Sequence, residues 1–215
     1  MADEPLYYQD PQVEITRVVV GPMDNNVYVV RCRRTGESVL IDAADDGNQL
    51  VELCQRLNVT KVLTTHGHRD HIQAVPAVRA AGYGVGIGAD DLDMLTGLGG
   101  PQSGEAVHDF VIEDDSVFPV GDLVLRTIHT PGHTPGSMCF VIEGSPVLLA
   151  GDTLFPGGPG ATKVPGGDFE AIIASISVRL FGRLPDDTVV MPGHGDSTTI
   201  GAERPHLQEW ADRGW

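Results

Sequence analysis

Cysteine, basic residues and long apolar runs are all scarce in this chain, and each scarcity removes a class of protein. Only Cys32, Cys54 and Cys139 occur in 215 residues, odd in number and with no C-x-x-C pair. Neither a disulfide framework nor a thiolate zinc site is indicated, and free thiols fit a reducing compartment. No uninterrupted apolar stretch approaches the ~18 residues that a membrane span needs. The amino-terminal MADEPLYYQDPQ is acidic and lacks the apolar core of a signal peptide, so a cytoplasmic protein without a membrane partner is expected. Basic residues number 14 against 30 acidic ones, for a net charge of −16, and only Lys61 and Lys163 are lysine. Without a basic cluster, that balance repels a phosphate backbone and argues against nucleic acid as a partner. Glycine is abundant instead, at 27 residues, and many tight loops should follow.

The length suits one α/β domain over 1–215, with no linker long enough to divide it. Segments 13–20, 27–32 and 38–42 are short, β-branched and separated by turn residues, which predicts consecutive strands. Residues 47–58 place Leu50, Leu53, Cys54 and Leu57 on one helical face, and a strand at 60–65 leads into HGHRDH. Asp70 stands where a helix cap belongs, with Ile72, Val75, Pro76 and Ala80 continuing a helical pattern to Gly82. A strand at 84–88, a helix at 89–97, a loop from Gly97 to Gly104 and a strand pair near 109–128 come next. The second half repeats the scheme: strands at 137–143 and 146–150, a glycine- and proline-rich loop at 155–167, and a helix from Asp168 striped by Phe169, Ile172, Ile173, Ile176 and Leu180. A strand at 187–191 and a helix near 201–211 close the chain. This order predicts an αββα sandwich, two mixed β-sheets packed face to face with helices on the outer faces.

Chemistry concentrates in His66-Gly67-His68-Arg69-Asp70-His71, four possible metal ligands in six residues at a predicted strand-to-helix corner. In an extended segment residues i and i+2 point the same way, so His66 and His68 can share one ion while Asp70 and His71, on a first helical turn, face a second. Gly67 is expected to give the backbone room to turn between them. A lone H-x-H is often no more than surface histidines. Here three further candidates follow in glycine- or proline-bracketed loops, each directly after a predicted strand: His133, Asp152 and His194. Imidazole and carboxylate donors without thiolate suit zinc first and leave iron and manganese open. His129 is a candidate either to support a ligand or to end a strand. His108 and His206 read as surface residues, and Asn25 and Asn26 as turn formers.

THGHRDH (65–71), TPGHTPGS (130–137), GDTLF (151–155) and PGHG (192–195) together resemble, in order and interval, the successive motifs of the metallo-β-lactamase superfamily. Within it the chain looks most like the small glyoxalase II-type hydrolases, which act on hydroxyacylglutathione. The resemblance implies two divalent ions, with His66, His68 and His133 binding the first, Asp70, His71 and His194 the second, and Asp152 bridging. It implies cleavage of small S-acyl thiol esters by a hydroxide that bridges ions about 3.5–4 Å apart, with Asp70 as the catalytic residue orienting it. The ions, two aspartates and a hydroxide sum to about +1, which would draw an anionic substrate to an acidic protein.

The chain also departs from the pattern it resembles. The larger glyoxalase II enzymes carry a C-terminal helical extension with cationic contacts to glutathione, whereas this sequence ends 21 residues after His194. Small members commonly show Arg-Ser/Thr-Asp in the loop after the GDTLF-like motif; this chain reads Ala161-Thr162-Lys163. Thr162 and Lys163 are the candidates for substrate contact, with Lys163 meeting a carboxylate on a thiol carrier that need not be glutathione. Two other activities share the motif letters: a persulfide dioxygenase with a single iron on His66, His133 and Asp152, and a lactonase or other ester hydrolase. The oligomeric state is left open.

Overall fold

Apolar residues that alternate along the strands divide between two faces in the computed structural model, which describes residues 6–96 and 108–214. The first sheet contains β1 (Leu6–Gln9), β2 (Val13–Val20), β3 (Asn25–Cys32), β4 (Ser38–Ile41), β5 (Val59–Leu63), β6 (Gly84–Gly88) and β7 (Phe110–Ile112), in that order across it. Its first four strands are antiparallel neighbours and β4 to β7 run parallel. The chain continues through β8 (Val117–Val120), β9 (Leu123–His129), β10 (Met138–Ile142), β11 (Val147–Gly151), a small hairpin of β12 (Leu154–Phe155) and β13 (Gly158–Pro159), then β14 (Val189–Pro192) and β15 (Thr198–Thr199). These form a second mixed sheet in the order β15-β14-β11-β10-β9-β8, with β11 and β14 parallel.

The helices are α1 (Gly47–Arg56), α2 (Arg69–Ile72), α3 (Val75–Ala80), α4 (Leu92–Thr96), α5 (Phe169–Ala174), α6 (Ile200–Glu203) and α7 (Leu207–Arg213). Three apolar layers result. Ile15, Tyr28, Val30, Ile41 and Leu63 meet Leu125, Phe140, Ile142, Leu149 and Met191 between the sheets. The other face of the first sheet, with Val29, Leu40 and Val62, packs on Leu50, Leu53 and Val78 of α1 and α3. The other face of the second, with Cys139, Leu148 and Val190, packs on Ile172, Ile176 and Trp210. This is the predicted αββα sandwich, and period-two alternation is what splits each strand between an inter-sheet layer and a helix layer.

Several local expectations change. The segment near 109–128 is three strands, not a pair: β7 joins the first sheet beside β6, while β8 and β9 belong to the second. Ile112 and Val120 bury in the same inter-sheet layer, so apolar pattern alone does not separate them. The helix read through to Gly82 is broken between α2 and α3, where the Ala74 N–H turns to the Ala43 carbonyl at 2.9 Å and Pro76 has no N–H to offer. Asp70 is not a cap: His68 holds that position, and Asp70 lies in the first turn of α2. Asp168 does cap α5, accepting the Ala171 N–H at 3.0 Å, but the helix then widens into a π-helix over Ser175–Phe181. Around Pro205 the last helix is split by a 3-10 turn, Arg204–His206. The short strand β1 was not anticipated. The predicted loop from Gly97 to Gly104 lies outside the described residues. Among those residues no helix is long and apolar enough to cross a membrane.

Candidate metal centre

Strands β4, β5 and β6 are parallel, so the residues that leave their carboxyl ends, Asp42, the 65–71 turn and Asp91, emerge on one edge of the first sheet. In the second sheet β9, β11 and β14 share a direction, and the loops that leave them carry His133, Asp152 and His194. Packing the sheets face to face brings the two edges together. All seven sequence-predicted donors meet there, in three overlapping groups: His66 with His68 and His133, His66 with His71 and Asp152, and Asp70 with His71 and His194.

The first group is made of imidazoles turned by neutral partners. His133 Nδ1 lies 2.7 Å from the Ala161 carbonyl and His68 Nε2 lies 3.0 Å from that of Pro165. His66 Nδ1 lies 3.0 Å from the Thr65 hydroxyl, and His68 Nδ1 lies 2.8 Å from His133 Nε2. The other group is tied to carboxylates. His71 Nδ1 lies 2.8 Å from Asp42 Oδ2, and His194 Nε2 lies 3.3 Å from Asp70 Oδ2, which also accepts the Asn25 amide at 2.8 Å. The second nitrogen of His194 meets the Met23 carbonyl at 2.9 Å. Asp152 lies between the groups, Oδ1 at 3.5 Å from His71 and Oδ2 at 3.6 Å from both His133 and His194.

Charge in the metal-free protein follows this division. Burial, with cationic repulsion from His71, holds His66 well below the ordinary imidazole range, and burial pushes His133 down to about 4 although Asp152 opposes it. Burial works against the charge of His71 as well, but Asp152 and Asp42 overcome it and raise that residue to about 9. Desolvation opposes the shifts of Asp70 and His194 too; their mutual hydrogen bond prevails, lowering the carboxyl and raising the imidazole.

The residues fit a bound metal. Among the described residues, buried His66 Nε2 and Asp152 Oδ1 have no hydrogen-bond partner in the protein, although both are strong ligand atoms. A Cβ on Gly193 would overlap Asp152 Oδ1 and stand 2.7 Å from His71 Cε1, so the backbone is kept small beside them.

Other site expectations shift with the geometry. Gly67 does not adopt a left-handed backbone; its need for glycine is space, because an added Cβ would stand 2.8 Å from Met94 and 3.1 Å from Asp91. Asn25 and Asn26 are buried in β3 rather than forming a turn. Asn25 holds Asp70, and the Asn26 side chain ties the His194 loop through the Pro192 and Gly195 carbonyls at 3.0 and 2.9 Å. His129 reaches the Pro135 carbonyl at 2.8 Å and steadies the His133 loop, while His206 is exposed. Lys163 stands exposed between the two residues of its loop whose carbonyls accept from the histidines, Ala161 and Pro165, and Thr162 is buried. Asp42 and Asp91 are supporting residues that sequence reading missed. Asp42 binds the Thr65 N–H and hydroxyl as well as His71, and its only forewarning is an acidic residue at a strand end.

Residues 20–194 match the family described as the metallo-beta-lactamase superfamily. The chain belongs to that superfamily. It is 32% identical to the hydroxyacylglutathione hydrolase GloC of Haemophilus influenzae, over 78% of this chain and 84% of that protein. Among solved structures it resembles TTHA1623 in a di-iron-bound form, at TM-score 0.75 and 33% identity, covering 87% of this chain and 96% of the other. It also resembles ETHE1 from Myxococcus xanthus, at TM-score 0.75 and 26% identity, covering 92% and 84%. The site is therefore a histidine and aspartate cluster of a metallo-hydrolase superfamily.

Proposed function

We propose that this protein is a two-metal thioesterase of the glyoxalase II type, acting on small S-acyl thiol esters. The observation that carries the reading is that two donor clusters meet at one carboxylate, Asp152. His66, His68 and His133 would hold one ion and Asp70, His71 and His194 the other, with Asp152 shared. Divalent ions bound there supply acidification of water and polarisation of the acyl carbonyl. Zinc suits the donor set, and iron suits it too, as in the di-iron relative.

The chain's own residues do the orienting. Asn25 fixes Asp70 by donating to Oδ2, so that this carboxylate would orient an incoming hydroxide toward the acyl carbon. Asp42 takes Nδ1 of His71 and leaves Nε2 facing Asp152. The carbonyls of Ala161, Pro165 and Met23 fix the outer nitrogens of His133, His68 and His194 in the same way. Lys163 would meet a carboxylate of the thiol carrier away from the reacting carbonyl, with Thr162 beside it. The GloC relative supports the acyl-thiol substrate class.

The ETHE1 likeness favours one other reading, an oxygen-dependent persulfide enzyme with a single iron. That reading uses His66, His133 and Asp152 and leaves Asp70, His71 and His194 without a task. Metal analysis of the purified protein, with assays of S-lactoylglutathione and glutathione persulfide under air and under anaerobic conditions, separates the two. Two ions per chain and oxygen-independent thioester cleavage are expected; one iron with oxygen-dependent persulfide turnover overturns the hydrolase reading.

A further inference from the structure

Asp91 ends the 3-10 turn Ala89–Asp91 after β6, is fully buried, and lies far in sequence from every ligand candidate. Its carboxylate nevertheless touches both loops that carry the first donor cluster. Oδ2 accepts the N–H of Gly67, between His66 and His68, at 2.8 Å, and the hydroxyl of Thr134, next to His133, at 2.7 Å. Oδ1 accepts the N–H of Gly136 at 2.6 Å. Both loops are glycine where the carboxylate passes: a Cβ on Gly67 would stand 3.1 Å from Asp91 Cβ, and one on Gly136 would stand 2.7 Å from its Cγ. Three donors therefore converge on one buried anion, and all three belong to segments that present His66, His68 and His133. None of its hydrogen bonds among the described residues goes to the Asp70–His71 turn of α2 or to the His194 loop.

Resting on the two-ion reading above, we infer that Asp91 is a positioning residue for one ion and not the other: it sets the spacing between the His66/His68 turn and the His133 loop. The carboxylate works because a single rigid group with two acceptor oxygens spans two loops from different sheets. A neutral amide of the same shape cannot do so, since in either orientation its NH2 would face a backbone N–H, that of Gly67 or of Gly136, and separate the loops. Positioning partners of this kind alter metal affinity by roughly ten- to a hundredfold.

The test is a cobalt titration of the full-length protein, with visible spectra and chelator competition to give two dissociation constants. In Asp91→Asn one constant is expected to rise about ten- to a hundredfold while the other stays unchanged. The spectrum of the ion that remains should match that of His133→Ala and differ from that of His194→Ala. Thr134→Val removes one of the three bonds and should give the same selective weakening to a smaller degree, which covers the case in which Asp91→Asn does not fold. Equal weakening of both ions, or of neither, with two ions still bound by the wild type, overturns the role of Asp91 and leaves the two-metal reading standing. A wild-type protein that never binds more than one cobalt overturns both.

Discussion

Around His66, His68 and His133 the outer contacts are a hydroxyl and two backbone carbonyls, whereas around Asp70, His71 and His194 they include Asp42 and the Asn25-held carboxylate of Asp70 itself. The residue types at the two clusters are nearly the same, but two histidines of each are shifted in opposite directions. His66 and His133 are driven neutral, while His71 and His194 are driven cationic in the metal-free protein. A cation entering beside His66 and His133 meets imidazoles that burial already holds neutral. One entering the second must displace a proton from His71, and so competes with hydrogen ions up to about pH 9.

Asp152→Asn abolishes the comparison, because that carboxylate faces both clusters. Both ions should weaken together and thioester turnover should fall more than about a hundredfold, since a ligand matters more than its supporting partners. Two ions retained tightly at near-normal turnover would show that Asp152 is not shared. The next effect is on the stability of the metal-free protein, followed by denaturant melts across pH. His133 falls from 6.5 to about 4 on folding, so between those values the unfolded chain binds more protons. Its contribution is present above pH 6.5 and is lost as pH falls toward 4, on the order of 3 kcal/mol. His71 acts in the other direction: its contribution is complete below pH 6.5 and is lost as pH rises through about 9. Metal-free stability should therefore peak near pH 6.5, and a flat profile would mean the clusters are not oppositely tuned.

Smaller effects sharpen the description of the first cluster's side. Lys163→Ala should raise KM for an anionic thioester about ten- to a hundredfold with kcat nearly constant, as loss of one charge-assisted hydrogen bond predicts. Equal, unaltered KM values for an anionic and a neutral thioester would return Lys163 to a solvated loop residue. Asp168→Ala removes the cap of α5 and should cost about 1 kcal/mol in a melt. Thioester kcat should stay constant there, because the Asp168 backbone N–H still holds the Gly132 carbonyl at 2.7 Å.

The donors were legible in the sequence because each lies in a short motif at a strand end, and strand direction alone assembles them. The sandwich was legible because strand alternation and helix stripes were intact in both halves. The supports were not. Asp42 reaches His71 across 29 positions, Asp91 reaches Gly136 across 45, and Asn26 reaches Pro192 across 166. No local pattern encodes a hydrogen bond of that span. Gly67 is glycine for a reason its own segment does not carry, since what constrains it is the approach of Asp91 and Met94 from the 3-10 turn and α4 that follow β6. Pro76 and Pro205 were visible as helix interruptions in principle, yet the apolar pattern on either side of each was continuous enough to mask them.

The antiparallel bridge between Asn25 and His194 joins the turn-closing residue pair of the β2–β3 hairpin to the last ligand loop, 169 positions away. Synthesis proceeds from the amino terminus, so the components become available in a fixed sequence. A nascent chain has His66, His68 and His133 together about sixty residues before His194 is made, an interval of seconds at ordinary elongation rates. The first residues of β3, which lie beyond its pairing with β4, wait for their His194-loop partner until the β14 segment is released and can dock. Loop-closure entropy rises only slowly with span, so the delay is one of timing rather than of thermodynamic cost.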